Sequence, residues 1–145
     1  MVKIPDYHIE QRSKYLEDLG LKPFEYGINW TIDNKKKDLK RWKKQREKYG
    51  FDEREAYEVY SIFAEWLYCH LKMYCKKVSK AIDLDYQTVE FEGNTYTENE
   101  AIGRILKWTE YFLKNHDDLE KRDKSLKKLQ KASRLWSELI LYAWW

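Results

Sequence analysis

The chain has 145 residues, 28 Lys+Arg against 25 Asp+Glu, 17% aromatic residues, and only 5 Gly and 2 Pro. That length suits one domain with a core of its own, and two cysteines, Cys69 and Cys75, are too few for a disulfide framework and fit a reducing compartment. The opening residues hold no apolar targeting segment, and no stretch approaches the roughly 18 apolar residues of a membrane span, so a cytoplasmic protein with no membrane partner is expected.

In chain order, the first helix should stop at Gly20, where glycine can take the left-handed conformation that closes a helix. The linker LKPFEYGINW follows, with Phe24, Tyr26 and Trp30 as anchors against the body. From Thr31 or Asp33 as N-cap, a polar helix runs to Tyr49, stopped by Gly50, with a narrow apolar stripe of Ile32, Leu39, Trp42, the stem of Arg46, and Tyr49. The strongest element spans residues 52–82, opened by Asp52 with Glu53 and Glu55 in its first turn, where the helix dipole favours acids. Its stripe is Ala56, Tyr60, Phe63, Leu67, Leu71, Tyr74, Val78 and Ile82. A second apolar face, Tyr57, Ala64, Tyr68 and Cys75, marks this helix as central and covered from both sides.

QTVEFEGNTYT then reads as a hairpin over 87–97 with Gly93-Asn94 in the turn. Thr97 and Glu100 form a capping box for a helix over 98–115 with Ile102, Ile105, Leu106, Thr109, Phe112 and Leu113 on one face. After a break at 115–118, the last helix starts at Asp117 or Asp118 and buries Leu119, Leu126, Leu129, Trp136, Ile140, Ala143 and Trp144. The expected fold is all-α: a compact bundle of four or five helices with a small hairpin. Residues 1–145 form one domain, with 1–50 as strap and basic helix and 51–145 as the core bundle.

Catalytic and metal chemistry find no seat. His8, His70 and His116 are far apart in sequence, and Glu65 with Cys69 makes only two donors at helical spacing. Cys69 and His70 are neighbours that splay about 100° apart on a helix and cannot pair as nucleophile and base. Five scattered glycines write no phosphate loop. Glu55, Glu58 and Glu65 read as a dipole-matched or solvated helix edge. No catalytic residue, metal or cofactor is assigned, and a non-enzymatic binding function is expected.

The near-balanced charge is a cancellation: residues 1–30 carry −1, residues 31–50 carry +6, residues 51–118 carry −6, and residues 119–145 carry +4. Within KKKDLKRWKKQREK, Lys36, Lys40, Arg41, Lys43, Lys44 and Arg46 form a candidate surface for a protein partner or a nucleic-acid backbone, beside the plainer reading of a solvated face. The 7 Trp and 12 Tyr are mostly core, but their N–H and O–H groups need partners when buried. Tyr57, Tyr60, His70, Tyr74, Arg104, Lys107, Trp108 and Tyr111, on the central and following helices, are the candidate lining of a pocket for a planar, phosphate-bearing ligand.

GFDEREAYEVYSIFAEWLYCHL resembles a motif of short, uncharacterised all-α proteins encoded by phages and prophages, in which an acidic lead-in opens a helix reading roughly E-T-W-x-L-D-x-x-I-A-x-F-x-L-P-R-L. Glu55, Tyr57, Val59, Phe63, Ala64, Trp66 and Leu71 stand at matching positions, while Tyr60, Cys69 and His70 replace the family's Asp, Pro and Arg. The closing LWSELILYAWW is similar to the family's terminal L-F-x-x-Y-F-x-x-L-W, so the resemblance runs over about residues 50–145. It implies a phage-type accessory protein acting in the host cytoplasm by binding. The leading expectation is counter-defence by sequestering a nucleotide-derived small molecule, ahead of inhibition of a host defence protein and of nucleic-acid binding through helix 31–49. An exposed Trp144-Trp145 end would be an apolar patch that a second copy could cover.

Overall fold

The computed structural model describes residues 14–21, 35–57 and 59–142; the side chains of Lys35 and Tyr57, the linker anchors, Thr31, Ile32, Asp33, Ala143, Trp144 and Trp145 lie outside the described residues. The described part is helical with one two-stranded antiparallel sheet, the fold class expected from the sequence. Contacts divide the chain into two compact units, Met1–Ile62 and Phe63–Trp145. No helix among the described residues is long and apolar enough to cross a membrane.

In the first unit, α1 (Lys14–Asp18) is closed by Gly20 at φ 77°. The Gly20 N–H donates to the Glu17 carbonyl and the Leu21 N–H to the Leu16 carbonyl, the paired bonds that satisfy the last carbonyls of a helix ending on a left-handed residue. The second helix, α2 (Lys35–Tyr49), ends at Gly50, φ 83°. Leu39 and Trp42 are buried and Lys36, Lys37, Lys40, Lys43 and Lys44 face solvent, as the stripe required. Tyr49 does not join that stripe: it is 60% exposed at the last helical position, with the Lys48 ammonium 5.0 Å from its ring centroid.

Helix is described over α3 (Glu53–Tyr57) and α4 (Val59–Val78), on either side of residue 58. Along α4, Ser61, Ala64, Leu67, Tyr68 and Leu71 are buried, so both apolar faces are covered in its middle. Ala56 and Tyr60, expected on the stripe, face outward, because the buried line enters through Ser61 and Ala64 instead. Trp66 and Met73 lie on an open side of the helix. The helix also stops before Ile82: Ala81 and Ile82 both donate to the Val78 carbonyl in a closing turn.

The second unit is built on a hairpin and two long helices. Strands β1 (Thr88–Phe91) and β2 (Asn94–Thr97) pair in the register Val89 with Tyr96 and Phe91 with Asn94. The turn is therefore Glu92-Gly93, one residue earlier than expected, with φ 50° and 78°, the two left-handed residues of a type I′ connection. The helix α5 (Glu98–Asn115) has the expected bounds, and its capping box is complete: Thr97 Oγ1 accepts from Glu100 N at 3.1 Å and Thr97 N donates to Glu100 Oε2 at 3.4 Å. Its buried face adds Ala101 and Trp108 to the expected residues, and Leu106 is only half-buried.

The last helix, α6 (Arg122–Leu139), starts later than expected. Asp118 is indeed a local cap, its Oδ1 accepting from Glu120 N, but it closes a turn that ends at Lys121. Leu119 is consequently 85% exposed, and the buried stripe runs through Ser125, Leu129, Ala132, Leu135 and Leu139. Trp136 is half-buried and Ile140 is exposed, a rotation of about one residue from the expected stripe. Leu67, Leu71, Val89, Ile102, Ile105, Trp108, Leu135 and Leu139 form the core of this unit. Thus the hairpin is seated on helices through Val89, which is what makes an isolated two-stranded sheet stable.

Candidate functional site

A groove of about 370 Å³ opens along α5, lined by Arg104, Lys107, Trp108, Glu110, Tyr111, Lys114 and Asn115, with Lys128 reaching in from α6. The α5 residues meet because positions 104, 107, 108, 111, 114 and 115 recur at three and four residue steps, one face of a helix. The opposite face of α5 is apolar and buried, which fixes the polar face outward. Four cations and one carboxylate line the groove, and that carboxylate, Glu110, lies 2.9 Å from the Lys114 ammonium. Lys107 and Lys128 have no carboxylate partner among the described residues.

Four of the eight sequence-derived pocket residues, Arg104, Lys107, Trp108 and Tyr111, therefore share this groove. Their roles differ from the base-stacking expected of the rings. Trp108 is only 8% exposed, too buried to offer a face, and the Lys131 ammonium sits 5.1 Å from its centroid. Tyr111 carries the Lys124 ammonium at 5.3 Å, and the Arg104 guanidinium lies over Tyr96 at 4.3 Å. The rings are seats for cations, an arrangement that leaves charge, more than aromatic surface, to meet a ligand.

The other four are placed elsewhere. Tyr60 belongs to the first unit, as does Tyr57, whose side chain is outside the described residues. His70 is exposed, stacked on Trp66 with centroids 4.5 Å apart, and its Nδ1–H donates to the Trp66 carbonyl at 2.7 Å. Tyr74 is bound inside the second unit, where its hydroxyl donates to Glu98 Oε1 at 2.6 Å. Glu98 is 1% exposed, a buried carboxylate in a helix first turn, where acids ordinarily face solvent. Burial first, and then the bond to Glu98, pushes the Tyr74 phenol well above its ordinary range. Burial likewise raises the Cys75 thiol, with the Glu98 charge adding to it.

The basic helix α2 presents a divided surface. Lys36, Lys40, Lys43 and Lys44 are exposed. The two arginines are instead tied to the acidic start of α3: Arg41 Nε to Glu53, and Arg46 to Asp52 Oδ2 at 2.9 Å and Glu55 Oε2 at 3.2 Å. Glu53 also accepts from the Trp42 indole N–H at 3.0 Å, while its own backbone N–H donates to Gln45. Asp52, fully buried at its side chain, is additionally held by Arg54 Nε and Nη2 at 2.9 and 2.8 Å. Arg54 in turn lies 4.1 Å over the Trp42 ring. Burial by itself would raise the Asp52 carboxyl, but the Arg54 hydrogen bond and charge and the Arg46 charge outweigh it and hold it below the usual carboxylate range. Glu53 is lowered in the same way, its bonds from Arg41, Trp42 and Gln45 outweighing burial. The hydrogen bond to Glu53 correspondingly raises Arg41. Arg41 and Arg46 are thus structural members of the first unit, and the cations left for a partner are lysines, with Lys43 beside Glu47 at 3.8 Å. The sequence cue was the acids Asp52, Glu53 and Glu55 following a run of cations, which reads locally as helix capping and only in three dimensions as a lattice.

No group of three or more His, Cys, Asp and Glu side chains suited to a metal ion occurs among the described residues. The fold is all-α with a docked hairpin, and the groove along α5 is lined mainly by cations. No known family model matches the chain, and no curated protein or solved structure is detectably similar to it.

Proposed function

We propose that this chain is a non-catalytic binding protein that captures a phosphate-bearing, nucleotide-derived small molecule in the α5–α6 groove. The observation that carries the reading is the set Arg104, Lys107, Lys114 and Lys128 around one concavity against a single carboxylate. Cations brought together in a partly enclosed site cost electrostatic energy that an anion relieves, and guanidinium and ammonium groups are the natural donors to phosphate oxygens. The volume lies at the low end of the roughly 300–1,000 Å³ usual for small-molecule sites. The resemblance to phage-encoded proteins supports placing this capture in counter-defence, with a nucleotide signal of the host as the thing sequestered.

The test is thermal unfolding with a panel of cyclic nucleotides and ADP-ribose derivatives, in the native chain and in a Lys107→Ala/Lys128→Ala double variant. A ligand at 100 times its dissociation constant adds about 2.7 kcal/mol, and the double variant should lose that gain while keeping its own melting temperature. Absence of a shift with every member of the panel refutes the reading. A second reading, inhibition of an acidic protein partner, is favoured by the exposed lysines Lys36, Lys40, Lys43 and Lys44 of α2; charge reversal at Lys40, Lys43 and Lys44 should abolish capture of such a partner.

A further inference from the structure

The cations near the groove extend beyond its lining. On α6, Lys124, Lys128, Lys131 and Arg134 follow one another at four- and three-residue steps, a single row about 15 Å long at 1.5 Å rise per residue. Arg104, Lys107 and Lys114 make a row of similar length on α5. Two unopposed rows of this kind would suit the backbone of a nucleic-acid strand, with phosphates met in succession.

One end is opposed. Glu92, at the tip of the hairpin, places Oε1 3.0 Å from Arg134 Nη2 and Oε2 3.3 Å from Lys131 Nζ, one carboxylate oxygen for each cation. It does so from a left-handed backbone, φ 50°, at a turn position where Asn, Asp or Gly is the ordinary choice. Asn would make the turn with less strain but could not carry a negative charge out to the two cations. A strained residue held by its charge contacts is the kind of outlier from which a functional role is inferred. The cations that remain for a ligand are then Lys107 and Lys128, with Arg104 and Lys124 each on a ring and Lys114 shared with Glu110, a short cluster in place of a track.

Resting on the small-molecule reading above, we propose that the groove takes a compact oligophosphate, the di- or triphosphate portion of a nucleotide-derived ligand, and that Glu92 is a specificity-determining fence that keeps longer polyanions out. Neutralising Glu92 releases Lys131 and Arg134 and turns the cluster into a track.

The test compares the native chain with Glu92→Asn, whose Asn-Gly turn suits the type I′ geometry and so keeps the hairpin folded. Calorimetric titration with inorganic tripolyphosphate and inorganic phosphate is run beside anisotropy with a labelled oligothymidylate of about twelve nucleotides, over a salt series. The native chain should bind tripolyphosphate at least about tenfold more tightly than phosphate, as expected where several cations act together. Glu92→Asn should strengthen oligothymidylate binding and steepen its log affinity against log salt by about 1.4, two new phosphate contacts at about 0.7 each. Tripolyphosphate should change by less than about twofold, because its cations are already in place. Tripolyphosphate binding with an oligothymidylate slope unchanged by Glu92→Asn overturns the fence and leaves the groove reading standing. No tripolyphosphate binding, or binding indifferent to Lys128→Ala, overturns both.

Discussion

Asp52→Asn isolates what the carboxylate charge contributes to the lattice joining α2 and α3. Asparagine keeps the shape and one acceptor oxygen, so the bond from Arg54 N, 3.1 Å in the native chain, survives and the helix start stays capped. What goes is the anion that faces Arg54 Nε and Nη2 and Arg46 Nε, all within 2.9 Å of a side chain with no solvent exposure. Removing one partner of a buried ion pair typically costs about 3–5 kcal/mol. Here Arg46 keeps Glu55 at 3.2 Å, which places the expected loss at about 2–4 kcal/mol. Urea unfolding followed by circular dichroism at pH 7 measures it. The pH dependence adds a second requirement. The Asp52 carboxyl titrates lower in the folded chain than in the unfolded one, so its contribution is complete above the ordinary carboxylate pKa and drains away as pH falls toward the depressed folded value. The gap between native and variant stability should accordingly be widest near neutrality and narrow below about pH 4. A gap under about 0.5 kcal/mol at pH 7, the range of an ordinary surface substitution, or one that does not narrow with acid, would show that the arginines do not depend on this anion.

Three further outcomes follow from the second unit. Thr97→Ala should destabilise by about 1 kcal/mol, the usual worth of an N-cap, with the loss read from the urea midpoint. Leu135→Ala should cost about 2–5 kcal/mol, whereas Leu119→Ala should stay within about 0.5 kcal/mol; the opposite ranking would restore the stripe expected from sequence. In an alkaline absorbance titration Tyr74 should stay protonated through the range near pH 10 where exposed tyrosines ionise. Tyr74→Phe should therefore leave the number of residues ionising there unchanged.

The fold was most legible where local signals suffice. The capping box at Thr97 and Glu100 and the apolar period after it specify α5 to the residue, because both act within two turns of chain. Asp118 misled for the same reason: an Asx turn and a helix N-cap use the same side-chain acceptor, and only packing, with Ser125 rather than Leu119 taken inside, decides which one is built. The hairpin turn was displaced by one residue because Glu is a poor left-handed residue on its own, and the cations that hold it, Lys131 and Arg134, lie some forty positions away. The same division governs the site. Arg104, Lys107, Trp108 and Tyr111 were visible together as one face of one helix. Nothing in the chain near Tyr74 shows that its hydroxyl is bound to Glu98, 24 residues on, or that the arginines of α2 are consumed by α3.

The cations seated over Tyr96 and Tyr111 carry an entropic consequence. A lysine or arginine waving in solvent surrenders many rotamers when it closes on a ligand, about 0.5–1.5 kcal/mol for each side chain immobilised. Arg104 and Lys124 have surrendered part of that freedom at folding, because each lies within about 5 Å of a ring centroid set on a rigid helix or strand. An anion arriving at this face meets charges already in position, so less of its binding energy is spent on arranging them. The aromatic residues around the groove thus act on a ligand they need not touch, by holding its partners still.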